Sequence, residues 1–202
     1  MSIYTGPTWL TTPLVVLGTP SMANMSRDEF FEFCGQNRKL HIERTAEGDL
    51  EIMTPAGADS SRRNVKLVVQ VEAWNERTGL GVVFDSSGGF WLPNGAERAP
   101  DVSWVLRERW ETISQDERRK FLPLAPDFVI ELRSESDRLS HLRNKMQEYA
   151  DNGVRLGWLI DPQQRRVEIY RPGRTPEIAD NPTQLSGDPE LPGFTLNLTP
   201  VW

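Results

Sequence analysis

Apolar residues recur along this chain with two periods, and the switching between them predicts a mixed α/β fold. Ser26-Arg27-Asp28-Glu29 is a capping box ahead of Phe30, Phe31 and Phe33, which predicts a short helix ending near Gly35. Leu40–Thr45 and Asp49–Met53 read as two extended runs joined by Ala46-Glu47-Gly48, a hairpin signal. Ser60 or Ser61 caps a longer helix running to about Arg77, with Val65, Val68, Val69 and Trp74 near helical spacing and Gly79 closing it. Gly81–Asp85, Gly89–Leu92 and Asp101–Leu106 are strand-like, and the polar stretch Glu108–Lys120 predicts a short helix or loop.

Pro126–Arg133 alternates strictly, with Phe128, Ile130 and Leu132 on one face and Val129, Glu131 and Arg133 on the other. A helix follows from about Asp137 to Ala150 on a Leu139/Leu142/Met146/Tyr149 stripe, ended by Asn152-Gly153. Arg155–Ile160 and Arg166–Tyr170 are strands around the turn Asp161–Gln164, and the tail holding Leu191, Phe194, Leu196, Leu198 and Trp202 reads as loop or edge strand. From residue 60 the order is helix, three strands, helix, two strands. That order describes a mixed sheet between helices. Residues 1–24 read as a loose Pro/Thr-rich arm held through Trp9, and 25–202 as one domain.

Composition narrows the partners. With 23 Lys and Arg against 29 Asp and Glu, the net charge of −6 argues against coating nucleic acid by bulk charge, though not against a local basic groove. Arg62, Arg63, Lys66 and Arg77 outnumber Glu72 and Glu76 on the long helix, and four arginines between 165 and 174 face only Glu168. No apolar run approaches the ~20 residues of a membrane span. Cys34 is the only cysteine, so the reducing cytoplasm is the expected compartment.

The chemistry must come from carboxylates. Glycine-rich phosphate loops and nucleophile elbows are absent, and one cysteine with two histidines makes a His/Cys zinc site a poor expectation. His41 reads as a half-exposed strand residue and His141 as a solvent-facing helix residue. Two strands start with Pro-Asp, at Asp101 and Asp127, and the second carries Glu131. Asp127 and Glu131, four apart on one strand, are separated by roughly 13 Å and cannot share a metal ion. Asp101 and Glu131, on neighbouring strands, can converge on a hard cation. Lys145 flanks the apolar stripe of the next helix, where it can bury its stem and aim its ammonium at the sheet edge. Arg133 lies two residues after Glu131 on the same strand face. Two carboxylates and a lysine suit phosphodiester hydrolysis. The same residues also fit a plainer reading, with acids at strand ends and Lys145 pairing with Asp137, Glu148 or solvent. Glu43 and Glu72 are candidate extra acids that read first as solvated or salt-bridged residues.

The ordered series Pro100-Asp101, Val129-Ile130-Glu131-Leu132-Arg133-Ser134, Lys145-x-x-x-Tyr149, Gly157-Trp158-Leu159-Ile160-Asp161-Pro162 and Val167-Glu168-Ile169-Tyr170 resembles the Uma-two family of restriction endonucleases, within the PD-(D/E)XK superfamily. The resemblance covers about residues 25 to 202. It implies a restriction-endonuclease-like core with an N-terminal helix and hairpin extension. It also implies a metal-dependent DNA endonuclease using Mg²⁺ or Mn²⁺, working as a homodimer. Asp101 and Glu131 match the metal ligands and Lys145 the lysine of the following helix. The superfamily's usual lysine two residues after the acid is Arg133 here, which stays cationic but cannot act as a base. Family members often carry a histidine near the start of the long helix, where this chain has Ser60-Ser61-Arg62-Arg63-Asn64. The alternative expectation is a catalytically inactive nuclease fold serving as a nucleic-acid-binding or protein-interaction module.

Overall fold

The computed structural model describes residues 14–17, 24–53 and 55–202. In chain order the elements are β1 (Leu14–Leu17), α1 (Arg27–Gln36), β2 (His41–Arg44), β3 (Leu50–Met53), α2 (Ala58–Thr78), β4 (Gly81–Asp85), β5 (Phe90–Trp91), β6 (Glu97–Arg98), β7 (Val102–Leu106) and α3 (Arg107–Glu111). A 3₁₀ turn at Glu117–Arg119 precedes β8 (Phe128–Leu132), α4 (Leu139–Asp151), β9 (Leu156–Asp161), β10 (Arg166–Tyr170), β11 (Glu177–Asp180), β12 (Gln184–Ser186) and β13 (Thr195–Asn197). Among the described residues no helix is long and apolar enough to cross a membrane.

The main sheet has six strands in the order β11-β10-β9-β8-β7-β4. Its one parallel pair, β8 with β9, is the pair bridged by α4, because parallel neighbours need a crossover connection. A smaller sheet, β1-β3-β2-β6-β5, holds the predicted hairpin. β1 is a finding the sequence did not suggest: part of the stretch read as a loose arm pairs with β3, Leu14 opposite Met53. Trp9 lies outside the described residues. Phe90-Trp91 also differs from expectation, pairing with Glu97-Arg98 in the small sheet instead of joining the main one.

Each face of the main sheet carries one core. On one face Leu67, Val71 and Trp74 of α2 pack over Val102, Trp104, Phe128, Ile130 and Trp158. On the other, Leu142, Met146 and Tyr149 of α4 cover Val105, Val129 and Leu159. The tail, read as loop or edge strand, forms β13 and is also part of the first core, with Leu191, Leu196 and Leu198 fully buried and the Phe194 ring stacked 6.0 Å from Trp158. On α2 the predicted stripe is one phase off, since Val65 and Val69 are each 57% exposed. The valine run permits two helical phases. Contact of the Trp74 ring with Trp104, centroids 5.5 Å apart, goes with the phase that buries Leu67 and Val71. The helix also begins earlier than expected, with Gly57 as its N-cap and no side-chain cap from Ser60 or Ser61.

The junction of α2 with β4 depends on Asn75, whose Oδ1 accepts from the Gly81 amide at 3.1 Å and the Trp104 indole at 3.0 Å. A Cβ on Gly81 would lie 2.3 Å from both Trp104 Nε1 and the Val105 carbonyl oxygen. The backbone oxygen cannot swing aside. Gly81→Ala should therefore destabilise the chain by about 3 kcal/mol, read as a lower urea midpoint; an unchanged midpoint would contradict the packing described.

Candidate functional site

β7 runs antiparallel to β8 with Val102 opposite Ile130. One further step of that register sets Asp101 beside Glu131, where facing Cα atoms are about 5 Å apart. The backbone fixes Asp101 there, because its Oδ2 accepts the Leu132 amide at 2.8 Å. Its Oδ1 meets Asn64 Nδ2 of α2 at a long 3.4 Å, while Asn64 Oδ1 is buried and has no hydrogen-bond partner.

Glu131 points to the α4 side and is 5% exposed. Its Oε1 receives the Tyr149 hydroxyl at 2.9 Å and lies 3.0 Å from Lys145 Nζ. Lys145 and Tyr149 are one helical turn apart, so both reach the same carboxylate. Lys145 is 7% exposed and bonds a second acid, Glu43 of β2, at 2.8 Å. Glu43 is 2% exposed, and it also accepts the Ala99 amide at 2.9 Å and Arg98 at 3.2 Å. Arg98 is held in turn by Glu51 and, at 2.6 Å, by Glu148. A connected set of ion pairs thus runs from the small sheet through α4 to the main sheet.

The site is electrostatically uneven. Burial raises Asp101 to about 6, against the lowering effects of the Leu132 amide and Lys145. Burial also raises Glu131, with repulsion from Asp101 and Glu43 adding to it and Lys145 opposing. Glu43 goes the other way: burial would raise it, but Lys145 and Arg98 outweigh burial and hold it low. Burial opposes the Lys145 charge, yet Glu131 and Glu43 win and keep the ammonium well above the usual lysine range. Lys145 is therefore a fixed cation and not a proton acceptor.

Arg133 goes elsewhere. Its guanidinium pairs with Asp161 of β9 at 2.7 Å, across the parallel ladder. Asp127 accepts the Leu106 amide at 2.8 Å and pairs with Arg109 at 2.9 Å, a strand-locking role. His41 is half-buried, its Nε2 is buried without a hydrogen-bond partner, and burial lowers its pKa. His141 Nε2 stands 3.8 Å from Glu51. Glu43 was half anticipated: salt-bridged, as read from sequence, but not solvated.

The residues that sequence reasoning missed are Glu43 as a partner of Lys145, Asn64 beside Asp101, and Tyr149 as more than a core aromatic. The i, i+4 spacing of Lys145 and Tyr149 carried the signal for the last. The first two depend on tertiary contacts that no local pattern encodes.

The family described as putative restriction endonuclease, Uma2, matches residues 27–199. The chain belongs to the Uma2 family. Among solved structures it is similar to a crystal structure of a putative nuclease belonging to DUF820 from Anabaena variabilis ATCC 29413. The likeness has a TM-score of 0.67 at 20% identity, covering 79% of this chain and 88% of the other. No curated protein matches. The fold is thus of the restriction-endonuclease-like type, with α1 and the β2–β3 hairpin preceding α2 in the chain, and β5 and β6 completing the small sheet from within the core's span.

For this Uma2 chain the donors at the site are hard oxygens: two adjacent carboxylates and the unpaired amide oxygen of Asn64. That chemistry fits a divalent cation such as Mg²⁺, which takes one or two carboxylates and keeps water and phosphate as its other ligands. Among the described residues no group of three His, Cys, Asp or Glu is arranged around a common point.

A raised carboxylate pKa makes ionisation costly to the fold. Asp101 favours folding while protonated; that contribution is whole below the ordinary value of 3.8 and is lost as pH rises from there through about 6. In metal-free protein Asp101→Asn should therefore raise the Tm by a few degrees at pH 8 and change it little at about pH 4. Equal shifts at both pH values would contradict the assignment.

Proposed function

We propose that this Uma2 protein is a metal-dependent DNA endonuclease that hydrolyses phosphodiester bonds, with Mg²⁺ or Mn²⁺ held by Asp101 and Glu131. The observation that carries the reading is the register that sets Asp101 beside Glu131, one step beyond the Val102–Ile130 pair, with the Lys145 ammonium 3.0 Å from Glu131. Burial raises both acids, a condition that a bound cation relieves. A divalent ion there supplies Lewis-acid charge on the phosphate and lowers the pKa of a coordinated water.

The chain's own residues do the rest. The Leu132 amide keeps Asp101 turned to the Glu131 side. Tyr149 and Lys145 both engage Glu131 Oε1, and none of the described contacts takes its Oε2. Lys145, permanently charged, stabilises negative charge developing on the phosphate. Arg133 acts indirectly, locking the end of β8 to Asp161.

DNA contact is local. Arg62 and Lys66 are exposed on the first turns of α2, beside Asn64. The second basic stretch is partly neutralised, with Arg166 on Asp180 and Arg171 on Glu190. Cutting both strands of a duplex with one site per chain calls for a two-fold homodimer. The half-buried Cys34 thiol, pushed up to about 12 chiefly by burial, is an inert group suited to the cytoplasm.

Plasmid DNA with Mg²⁺ or Mn²⁺ tests this. The unmodified protein should nick it, and Asp101→Ala, Glu131→Ala and Lys145→Ala should each slow nicking by about a hundredfold or more. Arg133→Ala should cost less than about tenfold, being one step removed from the chemistry. Nicking that survives Asp101→Ala would point to a contaminant or another site. Binding without cleavage under either metal would favour the inactive-module reading.

A further inference from the structure

Lys145 is claimed by two acids at once. Its Nζ lies 2.8 Å from Glu43 Oε1 and 3.0 Å from Glu131 Oε1. A divalent cation on Glu131 would repel that ammonium, and at 7% exposure Lys145 has little water to retreat to. It needs a carboxylate already in place.

Glu43 meets that need. The Ala99 amide holds its Oε1 and Arg98 holds its Oε2, so it cannot swing away. Arg98 is itself pinned by Glu148 and Glu51. Glu43 comes from β2 in the small sheet, an element outside the main sheet that carries Asp101 and Glu131. Among the described residues, two ion pairs that share Lys145 link that sheet to Glu131 of the main one.

We propose that Glu43 is a positioning residue that takes over the Lys145 ammonium when a divalent cation engages Asp101 and Glu131, so that the small sheet sets both metal affinity and the place of the active-site cation. This rests on the metal-site reading above. Lys145 then moves between a shared state and one held by Glu43 alone, without leaving the protein interior.

A double-mutant cycle on Mn²⁺ affinity, measured by calorimetry without DNA, tests it. Glu43→Gln should weaken Mn²⁺ binding about tenfold, because Lys145 is then left to compete for Glu131. In a Lys145→Met background the same change should alter affinity by less than about twofold, since the competitor is gone. Glu51→Gln, which removes the same charge one residue further out, should also stay within about twofold. Equal Glu43→Gln effects in both backgrounds would mean a general charge effect and overturn the proposal. No binding by the unmodified protein would overturn the metal site and this proposal together, whereas binding without coupling would overturn this proposal alone.

Should Glu43→Gln fail to fold, lysine ¹⁵Nζ resonances of the unmodified chain decide. On Mg²⁺ saturation the Lys145 ammonium signal should shift yet stay protected from solvent exchange. Its loss to exchange, or no shift at all, would overturn the handover.

Discussion

A buried ammonium between carboxylates from two sheets is the constraint on which the rest of this structure turns. Lys145 is charged, nearly inaccessible and paired at 2.8 Å and 3.0 Å. A buried ion pair is weak evidence for stability, because desolvation offsets much of the Coulomb gain. Leaving one partner unpaired is the expensive case, so each member of the set specifies the others. Glu131 must face α4, Lys145 must sit one turn before Tyr149, and the small sheet must dock with Glu43 inward. The cluster thereby fixes the relation of β2, β8 and α4 more sharply than apolar packing alone, which tolerates small shifts.

The main sheet was legible because its strands obey simple patterns. Pro126–Arg133 alternates, and the observed strand places Glu131 on the α4 side as that alternation predicts. The α4 stripe was also readable, from Leu142 to Tyr149. α2 was legible as a helix but not in phase, since a run of valines offers two apolar faces and only the tryptophan contact selects one. The tail was legible as loop or edge strand but not as core, because its short apolar positions pack against Trp74, Phe128 and Trp158, which no local pattern shows.

At the site the sequence pointed to Asp101, Glu131 and Lys145; the structure pairs Lys145 with Glu131, and Asp101 bonds the amide of Leu132, next to Glu131. Arg133 was readable only as a cation on the same strand face. Its pairing with Asp161 follows from the β8–β9 ladder, which no spacing argument reveals. Glu43 stood out in the sequence only as a possible extra acid, and its link to Lys145 was hidden for a related reason. It is 102 positions from Lys145 in sequence, and an acid in a short hairpin looks like any surface carboxylate.

The net charge of −6 now has a structural meaning. Part of the acidity is turned inward, at Glu43, Glu51, Glu97, Glu131 and Glu168, all buried and ion-paired. The proposal under test is one divalent cation shared by Asp101 and Glu131. Anomalous scattering from a crystal soaked in Mn²⁺ reads this directly. The expected result is a peak between the two carboxylates with Lys145 Nζ still against Glu43. A peak elsewhere, or an empty site at saturating Mn²⁺, would contradict it.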